Sequence, residues 1–321
     1  MKTKFKMLTL SASLLACGLG MSGNAQANAY ALSYNNVFNG KVTQSPVGSA
    51  VFIIPNTTTS QASASLTGFA SVNNIDPLGI NALPANLGVA KANDDFTVVG
   101  QFGTYTRGDS QIVSQQTATP GSSLQAVNIA EGNIVTSGIG SASGRDASDT
   151  SFSVPFTVVG ASVIQLDFSA DPFMKVFLDG PPSFAPSNAR AELTANVNIT
   201  DSLGNTVFNW SPNGSLLGVK GGTALSDPFT LNTSIARNFA FPGTTPFDPL
   251  GKNGADVGNL SPLTSGFFSV KTDALGKGDY TLTLQIRENI DVQRTVPEPA
   301  TMALMGLGML GMSFARRRKQ A

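Results

Sequence analysis

From Glu192 to Ile199 the chain alternates strictly: Leu193, Ala195, Val197 and Ile199 fall on one side, Glu192, Thr194, Asn196 and Asn198 on the other. A period of two places one face against a core and the other in water, which only an extended strand can do. Asp201-Ser202-Leu203-Gly204-Asn205 then supplies turn chemistry, and Thr206 to Trp210 returns, so the pair reads as a hairpin. The same alternation recurs late in the chain, with Tyr280, Leu282, Leu284 and Ile286 opposed to Thr281, Thr283, Gln285 and Arg287. Ser162 to Asp167, Met174 to Leu178, Phe267 to Val270, Phe96 to Val99 and Gln111 to Ser114 are further strand candidates. No long stretch carries helical periodicity. The expectation is an all-β body over residues 28–295, an antiparallel β-sandwich of jelly-roll or immunoglobulin-like type. Residues 115–149, rich in Ser, Gly and Ala, read as either a long loop or weak edge strands. Phe-Thr-Val-Val-Gly at 96–100 recurs at 156–160, but the flanks do not match, so two strands drew on the same β-formers.

Composition narrows the chemistry. There is no His, and the single Cys is Cys17, near the N-terminus. A body without imidazole or thiolate holds no Ser-His-Asp triad, no Cys-His dyad and no zinc site of the usual ligands, and it has no disulfide. The formal net charge of zero hides a segregation: Lys2, Lys4 and Lys6 stand at the front, and Arg316, Arg317, Arg318 and Lys319 at the back. Between them lie 13 basic and 20 acidic residues, a formal charge of −7. Such a surface lacks the basic stripe that a nucleic-acid partner requires.

The front end has the layout of a secretory signal peptide over residues 1–27: three lysines, an apolar run from Met7 to about Gly20, then small residues. Ala25-Gln26-Ala27 and Ala27-Asn28-Ala29 are both A-x-A cleavage sites. Leu14-Leu15-Ala16-Cys17 offers the rival reading of a lipobox, with acylation of Cys17.

At the back end, Ala300 to Ala315 is a run of 16 uncharged residues. As a helix it measures about 24 Å, short against a hydrocarbon core of about 30 Å. The basic block from Arg316 to Lys319 sets its orientation, because Lys and Arg flanking an apolar helix stay cytoplasmic. Gly306, Gly308 and Gly311 spell G-x-G-x-x-G, but no βαβ unit surrounds them, so they read as glycines tolerated in a membrane helix. Pro297 and Pro299 hold the preceding segment extended, as a processing enzyme would need it.

Val296-Pro297-Glu298-Pro299, the glycine-spaced apolar run over 300–315 and the basic tail over 316–321 together resemble the PEP-CTERM sorting signal of Gram-negative bacteria. The resemblance covers only residues 296–321. It implies recognition and cleavage near Pro-Glu-Pro by an exosortase-type membrane enzyme, an inner-membrane intermediate, and delivery to the cell surface or exterior. It also implies a bacterium that makes exopolysaccharide and grows in biofilms or flocs.

Chemistry in the body is limited to carboxylates, hydroxyls, Lys and Tyr. A glycosidase needs only two carboxylates, and Asp94 with Asp95, Asp146 with Asp149, and Asp167 with Asp171 lie close in sequence. Each sits beside turn-forming residues, where Asp bonds its own backbone, so the bland reading is favoured. The acidic loop from Asp273 to Asp279 lacks the ligand spacing of a calcium loop and contains a lysine. Trp210, beside Asn209 and Asn213, is the single candidate for a ring facing a glycan, weighed against a core position. No metal or cofactor is expected. The sequence therefore points to a non-enzymatic surface or matrix protein, structural or adhesive, with extracellular polysaccharide as a candidate partner. The alternative is a carboxylate-dependent polysaccharide-active enzyme or a carbohydrate-binding module.

Overall fold

A computed structural model of the 321-residue chain describes residues 26–53, 57–76, 85–88, 99–100, 103–114, 124–137, 140–179, 186–251 and 265–296. These residues form strands and turns, with no helix among them. In chain order the strands are β1 (Gln26–Ser45), β2 (Ala50–Phe52), β3 (Thr57–Leu66), β4 (Val72–Asp76), β5 (Ala85–Gly88), β6 (Tyr105–Ser114), β7 (Leu124–Ser137) and β8 (Gly140–Val158). They continue as β9 (Val163–Leu178), β10 (Asn188–Asp201), β11 (Thr206–Trp210), β12 (Gly222–Ser226), β13 (Thr233–Asn238), β14 (Gly243–Phe247), β15 (Gly266–Thr272) and β16 (Gly278–Val296).

Two eight-stranded antiparallel sheets face one another. The first runs β12-β15-β9-β1-β7-β6-β5 with β14 beside β9; the second runs β11-β10-β16-β8-β3-β4 with β13 beside β10 and β2 beside β8. The first strand of the chain is thus central in one sheet and the last strand central in the other. The sandwich expectation holds at that level.

The alternation around Leu193 is the clearest success. Ala189, Ala191, Leu193, Ala195, Val197 and Ile199 all point into the core, and the hairpin to β11 forms as expected. Asp201 Oδ1 accepts the backbone N–H groups of Leu203 and Asn205, and Gly204 takes a positive φ of 83° in that turn. In β16 the alternation also holds, but it runs on past Ile286 and brings Glu288 and Arg294 inside with Ile290 and Val292.

Ser162 to Asp167 and Met174 to Leu178 are not two strands; they belong to one, β9, which continues through Pro172. Pro172 pairs with Asn35 of β1, while on the other edge β15 ends at Ala170 and β14 begins at Met174. The proline sits where neither neighbour needs a donor, so it is locally an edge residue in a central strand. Pro155 repeats the device in β8, between the β2 pairing at 156–158 and the β3 pairing that ends at Ser153.

Residues 115–149 require the larger correction. Their described part is neither a loop nor an edge: β7 and the first half of β8 are long inner strands. The inward residues of β8 there are Gly144, Asp146, Ser148 and Thr150, all buried, so apolar alternation could not reveal them. Gln111 to Ser114 and Phe267 to Val270 lie in β6 and β15 as expected, whereas residues 96–98 lie outside the described residues.

Candidate functional site

The expected site residues separate into those at the two ends of the body and those within it. Ala25, Pro297, Glu298, Pro299, Arg316, Arg317, Arg318 and Lys319 lie outside the described residues, as do the segments expected to form the two terminal helices. Among the described residues no helix is long and apolar enough to cross a membrane. Val296 is the last residue of β16, so the expected sorting signal starts where a central strand ends. Ala27 lies in the β1 ladder opposite Thr136, one pair after Gln26 opposite Ser137.

Trp210 does not offer a ring to a glycan. It pairs with Val197, and directly opposed residues share a sheet face, so the hairpin register turns the indole inward with Val197. It is 1% exposed, with its ring 5.9 Å from that of Phe168 and 6.4 Å from that of Phe268. Its Nε1–H donates to Asp227 Oδ2 at 3.4 Å, and Asp227 also accepts the backbone N–H groups of Asn213 and Gly214. Asn213 therefore belongs to a turn that closes over a core residue, while Asn209 lies in β11 and donates to Asn196 Oδ1 on the outer face.

The candidate acid pairs are not assembled. Asp146 and Asp149 are three residues apart on one strand and face opposite ways, Asp146 into the sandwich and Asp149 outward toward Gln285 and Arg287. Asp167 and Asp171 share a face of β9 with Cα atoms about 13 Å apart; Asp171 is buried, and the Asp167 carboxyl accepts from Gln165 and Ser269. Asp94 and Asp95 lie outside the described residues. No three acidic side chains converge as a metal site among the described residues.

Instead the structure gathers polar groups that sequence reasoning passed over. A seam of hydroxyls, amides and carboxyls crosses the interior between the sheets. Asn128 donates through Nδ2 to Ser148 Oγ at 2.9 Å and accepts from Thr150 Oγ1 at 2.8 Å, and Ser148 Oγ donates to the Asp109 carbonyl at 2.6 Å. Asp146 enters beneath Gly108, where a Cβ would lie 2.4 Å from its Oδ1; glycine is what admits the carboxyl. Burial, reinforced by the neighbouring Asp109 charge, raises the Asp146 carboxyl well above its ordinary value. The Glu131 and Ala147 amides and Arg107 oppose that rise, but neither amide makes a hydrogen bond of normal geometry to Asp146.

Glu288 is fully buried in the same seam, and burial alone raises its carboxyl well above the ordinary range. It is bonded to Ser33 Oγ, which also lies 3.1 Å from the Glu192 carbonyl. Ser33 Oγ thus faces two acceptors, the Glu288 carboxyl and that carbonyl, with one hydroxyl proton between them.

On the outer face of the first sheet a second buried layer holds Tyr30, Leu32, Tyr34, Val99, Ile129 and Phe173. Glu131 Oε1 there accepts Tyr30 Oη at 3.0 Å, Tyr105 Oη at 2.8 Å and the Gly100 N–H. Arg107 Nη1 stands 3.8 Å from Glu131 Oε2, and its Nε donates to Asp109 Oδ2. Burial first, then the Glu131 charge, raises the Tyr30 phenol; burial first, then Asp171, raises that of Tyr34. Both phenols stay protonated at neutral pH. All of Tyr30, Tyr105, Arg107, Asp109 and Glu131 are at most 8% exposed, so the cluster has no access to a soluble substrate. The sequence carried one hint of this layer: Tyr30 to Asn35 is uncharged on both faces.

Among the described residues, one concavity lies on the outer face of the second sheet. It is lined by Thr194, Asn196, Ser211, Asn232, Gln285 and Arg287. Its surroundings on β10, β16 and β8 are Thr, Ser, Asn and Gln in register: Asn196 beside Gln285 beside Ser151, and Asn198 beside Thr283 beside Ser153.

Comparison with known proteins assigns the tail. Residues 295–319 match the PEP-CTERM protein-sorting motif, which marks the chain as an exported protein recognised by exosortase at the membrane. The match covers no residue of the body before Thr295. No curated protein matches the chain. Among solved structures, that of the infectious bursal disease virus Gx strain is 11% identical, with 86% of this chain and 68% of that chain covered at a TM-score of 0.12. The VP2 subviral particle of the same virus is also 11% identical, with 91% and 74% covered at a TM-score of 0.12. Likeness that slight assigns no family to the body.

Proposed function

We propose that this chain is a non-enzymatic protein of the bacterial surface or extracellular matrix. Its β body is carried out by an N-terminal signal peptide, held at the membrane by the C-terminal helix, and cut at Pro297-Glu298-Pro299. Its work outside is structural or adhesive, within exopolysaccharide in a biofilm or floc. The observation that carries the non-enzymatic reading is the disposition of the described acids. Asp109, Glu131, Asp146 and Glu288 are all buried, in two separate layers, and Asp149 and Asp167 stand apart along strands. The reading is also supported by the outer face of the second sheet, whose rows of hydroxyl and amide groups, flanked by the ion pairs Arg287–Asp149 and Arg190–Glu192, suit hydrated polysaccharide better than an apolar partner.

Two measurements test it. Replacing Glu298 and the Arg316 to Lys319 block in the full chain should leave an unprocessed, membrane-retained form; normal release of that variant would refute the sorting assignment. The processed wild-type protein should co-fractionate with the producer's extracellular polysaccharide without raising its reducing ends. A rise in reducing ends would replace this reading with the carboxylate-dependent enzyme.

A further inference from the structure

A residue beside each of the two expected processing points meets one side chain, Asp179. Asn28 lies one residue past the first A-x-A triplet, and its backbone N–H donates to Asp179 Oδ1 at 2.6 Å. The Asp179 N–H returns a bond to the Asn28 carbonyl at 3.0 Å. Asp179 directly follows the last residue of β9, and the same Oδ1 accepts from Arg294 Nη2 at 3.5 Å. Arg294 is 1% exposed and stands two residues before Val296, where the sorting signal begins. Burial pulls its guanidinium down from its usual range, and the Asp179 carboxylate pulls it back up.

The two A-x-A sites have different consequences for this arrangement. Hydrolysis after Ala27 removes only the ladder pairs of Gln26 and Ala27 with β7. Hydrolysis after Ala29 also removes Asn28, with both its bonds to Asp179, and Ala29, which is completely buried between Ile134 of β7 and Leu178 of β9. The body would then begin inside its own central strand, with Arg294 left as the sole one of these two donors to Asp179.

We propose, resting on the export reading above, that the leader is cut between Ala27 and Asn28 and that Asp179 receives the α-ammonium group so created, tying the new N-terminus to the final strand. Water supplies the step: the Ala27–Asn28 amide bond breaks, Ala27 departs as a carboxylate, and the Asn28 nitrogen takes up protons to become an ammonium. The contact already present as an amide N–H bond becomes charge-assisted, which shortens and strengthens such bonds. Asp179 then bridges two cations, one at the first residue of the mature chain and one at the end of its last strand. The Asn28 end of β1 and the Arg294 end of β16 thus lie at one end of the sandwich.

The test uses the full chain, exported from a Gram-negative host. Intact mass and N-terminal sequencing of the exported protein should give Asn28 as the first residue. The α-amine should react with an amine-directed reagent at neutral pH about tenfold faster in Asp179→Asn, because an adjacent carboxylate raises an amine's pKa by about one unit or more. Asp179→Glu should restore part of the protection. If Asp179→Asn is not recovered folded, the native wild-type amine compared with the urea-unfolded chain reads the same protection. A chain beginning at Tyr30, or an α-amine indifferent to residue 179, overturns the proposal while leaving export intact. A chain beginning at acylated Cys17, or retaining residues 1–27, overturns the export reading and the proposal together.

Discussion

The buried carboxyls of Asp146 and Glu288 make the stability of the body fall as pH rises above their ordinary titration range. Both have folded-state pKa values raised above their ordinary values of 3.8 and 4.5, chiefly by burial. Above those values the unfolded chain has released the two protons while the folded chain still holds them. Folding then takes up protons, and stability declines with pH by about 1.4 kcal/mol per unit for each group, about 2.7 kcal/mol per unit for both. The window opens near 4.5 and extends to the raised folded-state values. Asp149, raised more modestly by partial burial, adds in the same direction. Asp201 acts oppositely: its carboxyl is lowered, first by the Asn205 side chain, so its contribution is complete above 3.8 and lost only at more acid pH. Urea unfolding at pH 5, 6 and 7 provides the assay, with the fluorescence of Trp210, the single tryptophan, as the signal. Glu288→Gln and Asp146→Asn preserve shape and remove the titration, so each should flatten the pH slope by about 1.4 kcal/mol per unit. A double variant with the wild-type slope, or a wild-type protein that gains stability from pH 5 to 7, would refute the reasoning.

Trp210→Ala, which removes a buried ring packed on Phe168 and Phe268, should cost about 3–5 kcal/mol, a fall in Tm on the order of 10 °C by calorimetry; an unchanged Tm would contradict a core position. Gly108→Ala sets a Cβ 2.4 Å from Asp146 Oδ1 and 2.7 Å from the Ala147 carbonyl, so it should destabilise by about 1–3 kcal/mol, and adding Asp146→Ser should recover part of that loss in urea titrations.

How much was legible depended on what each residue faced. β10 and β16 were readable because their inner face is aliphatic and their outer face polar over many residues. β8 was hidden because its inner face changes from Gly, Asp, Ser and Thr to Phe and Val along one strand. Its small polar residues are inside because Gly108, Ser110 and Asn128 meet them from the opposite sheet, and that pairing joins segments far apart in sequence. Trp210 was ambiguous for a related reason: its neighbours looked like a polar surface, and only the register with Val197 assigned its face.

By itself the sequence determined the route and the fold class. A sorting signal is read by enzymes as a linear string, and a period of two is a local property of the chain. Tertiary structure decided which polar groups are enclosed, which acids are kept apart, and that Asn28, Asp179 and Arg294 meet. Those outcomes depend on strand order and register, which bring residues 28, 179 and 294 together although more than a hundred positions separate each from the next.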